Sequence, residues 1–176
     1  MFFSYKESAF TLFEFMICIA VLAIIVTIAI PSYHNLNEKR EVNHVYPLLK
    51  QHVDFAKNTA LTYHSDIVIC ASEDLNTCQN NMWHKGIIIF SDTNKNKRLD
   101  LNETVFSKIF TDIKYGQLKW NGSASNTNTL TFQGDTGLTR GSMGAFHYCN
   151  FKHSEYNKHF PIGMMGNLKK EPNAVC

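Results

Sequence analysis

The sequence predicts an α+β protein in which one long N-terminal helix packs, through its second half, on an antiparallel β-sheet. Three patterns support this class: an apolar run, an amphipathic helical stripe beyond it, and a series of short β-branched and aromatic runs from Ile67 onward. We expect four segments, namely a short leader, the apolar helix, its amphipathic continuation and a β-rich domain, at residues 1–9, 10–30, 31–64 and 65–176.

The apolar run from Phe10 to Ile30 is long enough to cross a membrane. Its 21 residues include one charge, Glu14, and such a helix measures roughly 31 Å at about 1.5 Å per residue, close to a bilayer's hydrocarbon thickness. An ionised carboxylate within it costs on the order of 2.5 kcal/mol unless it finds a partner. The sequence therefore implies that some cation meets Glu14.

Cleavage of the chain before Phe10 would supply that cation. The new α-amino group has a reference pKa of about 8 and is largely protonated at neutral pH. Within one subunit this amine and Glu14 are close but poorly aligned, whereas between staggered neighbours in a bundle they can pair and fix the axial register. We interpret Glu14 as an assembly residue.

The residues around this point resemble a known processing signal. Residues 9–14, AFTLFE, are similar to the class III signal of type IV pilins and pseudopilins, in which a leader is cut before Phe and the fifth mature residue is Glu. Pro31 falls where many of these proteins carry a helix-kinking proline. The leader departs from the pattern because it ends in Ala9 instead of Gly. The resemblance implies cleavage between Ala9 and Phe10 by a prepilin peptidase, with N-methylation of Phe10.

The apolar run is also compatible with two simpler kinds of segment. An ordinary secretory signal has a shorter apolar core after a basic region and lacks an early Glu. A single-pass anchor for an unrelated domain fits the length of the run but gives Glu14 no role.

Beyond Pro31 the helix is expected to continue as an amphipathic element. Six apolar residues recur at steps of three and four, which predicts a buried stripe about five turns long: Val42, Val45, Leu49, Val53, Ala56 and Ala60. Pro47 lies inside the stripe and lacks an amide hydrogen, so a bend or local loosening is expected there.

Seven short runs of β-branched and aromatic residues predict the strands. They are separated by Asn, Asp, Gly and Ser clusters that favour turns. The runs are residues 67–70, 87–90, 104–106, 118–120, 130–132, 145–149 and 158–160.

Four of the five cysteines lie downstream of the membrane segment, on the side expected to be oxidising. An even number there predicts two disulfides. Proximity favours Cys70 with Cys78, which leaves Cys149 with Cys176. Zinc is the competing interpretation, but no C-x2-C pair is present.

The central block resembles one branch of the pilin superfamily. Residues 69–74 with Cys78, followed by residues 83–96, WHKGIIIFSDTNKN, closely resemble the GspH/FimT family of minor pilins and pseudopilins. With the N-terminus, the resemblance covers residues 9 to about 110. It leans towards FimT-like subunits of type IV pili over pseudopilins of type II secretion.

One polar segment has the ligand spacing of a calcium loop. Oxygen-bearing residues stand at positions 1, 3, 5, 9 and 12 of an EF-hand pattern, namely Asp92, Asn94, Asn96, Asp100 and Glu103. Position 6, which needs Gly, is Lys97, and a strand rather than a helix precedes the loop. A polar hairpin connection whose side chains cap their own backbone is the favoured interpretation, and we expect no metal and no cofactor.

No catalytic constellation is evident, because the eight histidines are scattered and neither G-x-S-x-G nor H-E-x-x-H occurs. The net charge of +2 neither demands nor excludes an anionic partner.

From residue 138 onward, however, basic and aromatic residues alternate, which suits phosphate contact and base stacking. In family members linked to natural transformation a Gly-Arg-x-Arg motif is associated with DNA binding. Here residues 166–170 read GNLKK, so DNA contact by Lys169, Lys170 and Arg140 is a hypothesis.

The resemblance implies a non-enzymatic minor pilin-like subunit of the inner membrane, with a periplasmic domain that later enters a filament or its tip. Its expected partners are other pilins or pseudopilins, the prepilin peptidase and, on the DNA hypothesis, nucleic acid. A GspH-type minor pseudopilin of type II secretion is the alternative. A membrane-anchored periplasmic binding module with no assembly role is the second alternative.

Overall fold

The computed structural model describes residues 11–122, 128–172 and 176, and the chain forms two compact units that meet between residues 38 and 39. The helix α1 contributes to both. The elements in chain order are α1 (Leu12–Tyr63), β1 (Ile67–Ala71), β2 (Gly86–Ser91), β3 (Val105–Phe110), β4 (Gly116–Gly122), β5 (Thr129–Phe132), β6 (Gly144–Asn150), a 3-10 helix (Ser154–Tyr156), β7 (Lys158–Ile162) and β8 (Glu171–Pro172). The predicted α+β class, with one long N-terminal helix and antiparallel strands, is confirmed.

The helix α1 runs unbroken through Pro31 and Pro47. In the second unit its apolar stripe is fully covered. Each of the six residues of the stripe is at most 5% exposed, so the periodicity identified the buried face correctly: Val42, Val45, Leu49, Val53, Ala56 and Ala60.

The strands form two antiparallel sheets instead of the single sheet expected. One sheet has the order β3-β2-β1-β5 and the other β4-β6-β7-β8. The consecutive strands β3 and β4 lie in different sheets, and β5 returns to the first sheet beside β1. The amides of Lys114 and Tyr115 in this connection donate to the Glu41 carboxylate of α1, at 2.7 and 3.0 Å. A helix side chain thus satisfies two backbone donors of this connection.

One core fills the space among the helix stripe and the inner faces of both sheets. Its centre is aromatic: the ring of Phe146 lies 4.9 Å from that of Trp83 and 4.6 Å from that of Trp120. All three side chains are at most 3% exposed. Aromatic residues contribute large buried areas, and these three join the β1–β2 connection to β4 and β6.

A second, smaller cluster covers the outer face of the first sheet. It contains Val68, Cys70, Ile88 and Phe90, with side chains from the loops after β1 and β2 packed over them. Every residue of β1 and β2 is therefore buried. Their sequences are continuous apolar runs, without the alternation of a one-sided strand, because both faces are covered.

Glu41 fixes α1 to the rest of the second unit. Besides the amides of Lys114 and Tyr115, the hydroxyl of Tyr148 donates to Glu41 Oε1 at 2.8 Å. Tyr148 is fully buried on β6. One carboxylate therefore joins the helix, the β3–β4 connection and the second sheet, a role the sequence patterns did not indicate.

Replacement of this carboxylate is expected to destabilise the protein. Glu41→Ala would leave three donors without their acceptor, at a cost of about 1–3 kcal/mol in the free energy of unfolding. Urea denaturation of the detergent-solubilised full chain, followed by the fluorescence of its two buried tryptophans, measures this cost.

The matched control is Glu73→Ala, because the Glu73 side chain is exposed and carries the same charge. If Glu41→Ala and Glu73→Ala shift the urea midpoint equally, Glu41 does not have the role assigned to it here.

Candidate functional site

The N-terminal end of α1 places Glu14 in a reciprocal cap with Thr11. Glu14 Oε2 accepts hydrogen bonds from the Thr11 amide and the Thr11 hydroxyl, both at 3.0 Å, and the Glu14 amide donates to Thr11 Oγ1 at 3.2 Å. This is the T-x-x-E capping box, a signal that was present in the sequence. Its donors are neutral, so the carboxylate's charge is not compensated by them. Ala9 and Phe10, the predicted cleavage pair, lie outside the described residues.

The apolar part of α1 is exposed along its length. Residues 11–30 are all exposed, among them Leu12 at 78% and Ile28 at 67%. Among the described residues, α1 is the helix long and apolar enough to cross a membrane. A continuous apolar surface of this extent marks a membrane or an interaction site. Pro31 lies just beyond it, within the helix.

Two disulfides lie in the second unit. Cys70 on β1 is joined to Cys78 in the following loop, and Cys149 on β6 is joined to Cys176, with Cα separations of 5.6 and 5.8 Å. The first is the pairing that proximity favoured, and the second is the pairing that this left. Cys18 is free and exposed in the apolar part of α1.

The loop between β2 and β3 uses its predicted calcium ligands to organise its own backbone. Asp92 accepts from the amides of Asn96 and Lys97 at 3.1 and 2.9 Å, and Glu103 accepts from the Thr93 amide at 3.0 Å. These are the self-capping contacts of a polar hairpin connection.

The middle of this loop is also closed by side-chain hydrogen bonds. The amide groups of Asn94 and Asn96 both donate to Asp100 Oδ2 at 2.7 Å, and they lower the pKa of the Asp100 carboxyl. No group of three or more His, Cys, Asp or Glu that could hold a metal ion occurs within the described part of the chain.

Two histidines meet on the second sheet. His147 and His159 are register partners on β6 and β7, with ring centroids 4.7 Å apart. Burial lowers the pKa of His147, and the nearby His159 lowers it further. His159 Nδ1 lies 3.1 Å from Glu171 Oε2. The pair is a packed contact between neighbouring strands.

The C-terminal basic segment lies on the connection from β7 to β8. Lys169 and Lys170 are exposed, and Lys170 Nζ lies 6.0 Å from the ring of Tyr46 on α1. Lys57 of α1 donates to Asn167 Oδ1 at 3.4 Å. The Gly-Arg-x-Arg motif has its first arginine at the position of Asn167. In this chain the ammonium group of Lys57, from the helix, lies beside that position. Sequence spacing gave no sign of this contribution from Lys57.

Arg140, the third predicted DNA residue, lies on the connection from β5 to β6 and is exposed. The preceding residue, Thr139, donates its amide to the Met164 carbonyl at 3.1 Å. The loop of Arg140 is thus hydrogen-bonded to the β7–β8 connection that also carries Lys169 and Lys170.

Known proteins share both the N-terminal signal and the fold. Residues 4–30 match a sequence model described as the prokaryotic N-terminal methylation motif. Two crystal structures of the type IV minor pilin FimU from Pseudomonas aeruginosa strain PAO1 are similar in fold. One has a TM-score of 0.57 at 19% identity over 77% of this chain and 91% of that chain. The other has a TM-score of 0.51 at 19% identity, over 76% and 92%.

At this identity the likeness shows the fold alone, and with the methylation motif it defines a type IV pilin-like protein. The chain belongs to the GspH family. The family's sequence model, described as type II transport protein GspH, matches residues 48–160, more than half of the chain. The resemblance seen in the sequence is thereby confirmed. No curated protein matches the chain.

Proposed function

We propose that the protein is a minor pilin-type structural subunit that acts in the assembly or priming of a type IV pilus. The observation that supports this best is the exposed apolar surface of α1, with a single carboxylate at its N-terminal end. A prepilin peptidase of the inner membrane cuts between Ala9 and Phe10 and methylates Phe10. The apolar helix, until then the single-pass anchor of a periplasmic domain, joins the helices of other pilins in the filament or its tip.

Glu14 sets the register of the assembled helices. The charged amine of Phe10 from a neighbouring subunit lies inside an apolar helix bundle, where an opposite charge is the one strong partner available to it. The Thr11 hydrogen bonds hold the Glu14 carboxylate at the helix end, so it is already oriented before the amine arrives. In this scheme the protein is the substrate of an enzyme and has no catalytic role itself.

A minor pseudopilin of a type II secretion system is the alternative, and the description of the matching family model favours it. The fold likeness to a type IV minor pilin favours the pilus. Both alternatives share the same processing and the same helix packing. A membrane-anchored binding module is the second alternative, and it differs because it gives Glu14 no function.

Processing is tested by mass spectrometry of the full-length gene product extracted from membranes of cells that contain a prepilin peptidase. The expected mature chain begins at Phe10 and carries one added methyl group. A functional protein that retains residues 1–9 would contradict the assembly proposal. Cells without the peptidase provide the control, and there the leader should remain attached.

Two substitutions of Glu14 separate its charge from its capping role. Glu14→Gln keeps the hydrogen bonds of the capping box, because Gln serves at this position as well as Glu, but it lacks the charge. If pairing with an amine matters, Glu14→Gln and Glu14→Ala should both prevent incorporation into sheared filaments, as measured by immunoblotting of the filament and membrane fractions.

The matched control is Glu73→Gln, on the exposed surface of the second unit, which should be incorporated normally. Normal incorporation of Glu14→Gln together with failure of Glu14→Ala would mean that only the cap matters. Normal incorporation of both would mean that Glu14 has no role in assembly, whereas absence of the unchanged protein from the filaments would favour the binding module.

DNA contact by Lys169, Lys170 and Arg140 is a second proposed activity, relevant to DNA uptake in natural transformation. The exposure of both lysines and the position of Lys57 beside Asn167 support it, because they add a cation to the segment. Cations of this kind attract phosphates without reading the base sequence.

The double variant Lys169→Ala, Lys170→Ala should bind duplex DNA more weakly. The slope of log K against log salt should fall by about 2, because two phosphate contacts are lost. Fluorescence anisotropy of a labelled duplex, titrated with the full chain in nonionic detergent at several salt concentrations, gives this slope. The control is the double variant Lys119→Ala, Lys152→Ala, which removes two exposed lysines elsewhere. An equal fall in the salt slope for this control would contradict DNA contact by Lys169 and Lys170.

A further inference from the structure

A cleft of about 220 Å³ opens in the second unit between the β2–β3 loop and the β5–β6 connection. Three cationic residues line it: Lys95 and Lys97 from the first of these loops and Arg140 from the second. Among the described residues that line the cleft, Asp66 is the one carboxylate. The lining therefore carries a net charge of +2.

The wall that bears the two lysines is held in a demanding backbone conformation. Lys95 and Lys97 both have φ of 60°, the left-handed region in which Gly or Asn is the easier choice. The carboxylate of Asp92, which is 2% exposed, accepts from the amides of Asn96 and Lys97 and holds the turn in place. Gly or Asn would form this turn at a lower conformational cost than Lys at these two positions.

The opposite wall is equally well fixed. Thr139, next to Arg140, is fully buried, and it donates its amide to the Met164 carbonyl and its hydroxyl to the Gly163 carbonyl at 3.1 and 2.9 Å. The Ser142 amide donates to the Thr139 carbonyl at 2.9 Å and closes a turn around Arg140. The guanidinium group of Arg140 is thus presented by an ordered loop and is exposed.

Two polar side chains of β5 and the residue after it also line the cleft. Thr131 Oγ1 and Gln133 Oε1 are buried and have no hydrogen-bond partner in the structure. A buried polar atom without a partner costs about 1–3 kcal/mol, so a ligand that supplies one is favoured here. The Gln133 amide can present its NH2 group instead of its oxygen by rotating about its terminal bond. The hydroxyl and the amide can then both act as donors.

From these features we propose that the cleft binds a phosphate-class oxyanion. A tetrahedral dianion has enough oxygen atoms to accept from a guanidinium fork, two ammonium groups and a hydroxyl at once, whereas a carboxylate has two. Charge-assisted hydrogen bonds of this kind are about twice as strong as neutral ones, and Arg suits phosphate because of its planar fork. The phosphate is either the free ion or a phosphodiester of DNA.

Asp66 limits how the oxyanion sits. Its Oδ1 accepts from the Gly134 amide at 3.0 Å, and its Oδ2 lies 4.0 Å from Lys95 Nζ. Lys95 is therefore partly neutralised by Asp66, and Arg140, with its planar fork, is the residue whose loss should weaken binding most clearly. Arg140 and Lys97, one cation from each wall of the cleft, are the residues to change.

Equilibrium dialysis of the detergent-solubilised full chain against radiolabelled inorganic phosphate, at constant ionic strength, tests the site. We expect saturable binding that Arg140→Gln and Lys97→Gln each weaken about tenfold. Lys152→Gln removes the same charge from an exposed position elsewhere and should leave binding unchanged. Absence of saturable binding up to about 10 mM, a range that includes weak sites, would overturn the proposal. So would an equal loss in Lys152→Gln.

A labelled DNA duplex identifies the source of the phosphate. If inorganic phosphate displaces the duplex and Arg140→Gln weakens its binding, the site takes a phosphodiester. If inorganic phosphate does not displace the duplex and Arg140→Gln does not weaken duplex binding, but dialysis shows that phosphate binds, the site takes the free ion. Both results support an oxyanion site. Because the measurements use the isolated chain, their failure would leave the proposed assembly function untouched.

Discussion

Burial of one apolar stripe of α1 is the constraint to which the rest of the second unit conforms. The six residues of the stripe are excluded from water by the inner faces of two sheets. Full burial of each Val or Leu contributes about 1.5–3 kcal/mol, and small residues, Ala56 and Ala60, occupy its C-terminal end. The aromatic centre formed by Trp83, Trp120 and Phe146 completes the same core.

The stripe and seven of the eight strands in the described residues could be predicted from the sequence, because both follow from side-chain periodicity and composition; the two-residue β8 was missed. Division of the strands into two sheets could not, since it depends on pairings between strands distant in the chain, such as β1 with β5. The role of Glu41 could not be predicted either, because its partners are 73 to 107 residues away. The cover over the outer face of β1 and β2 was missed for a similar reason. A continuous apolar run indicates burial on both faces but does not identify what covers the second face.

The candidate sites also divide into those formed by residues close in sequence and those formed by distant segments. Local signals carried more information: the self-capping β2–β3 loop was predicted, and the T-x-x-E cap at Thr11, which was not predicted, also depends on residues close in sequence. Sites assembled from distant segments could not be predicted from the sequence. Lys57 reaches Asn167 across 110 residues, and the cleft brings Lys95 together with Arg140 from a different loop. Neither spacing nor composition indicates which surface cations become neighbours on folding.

The bond between Cys149 and Cys176 ties the C-terminal end of the described chain to β6 of the second sheet. Strand β8 consists of two residues and pairs with β7 alone, so it has little hydrogen bonding to hold it in place. The covalent link closes a segment 27 residues apart in sequence, which restricts the unfolded chain and so favours the docked strand. Completion of the second sheet is thereby coupled to thiol oxidation, and reduction of this one bond would weaken the hold on its outermost strand.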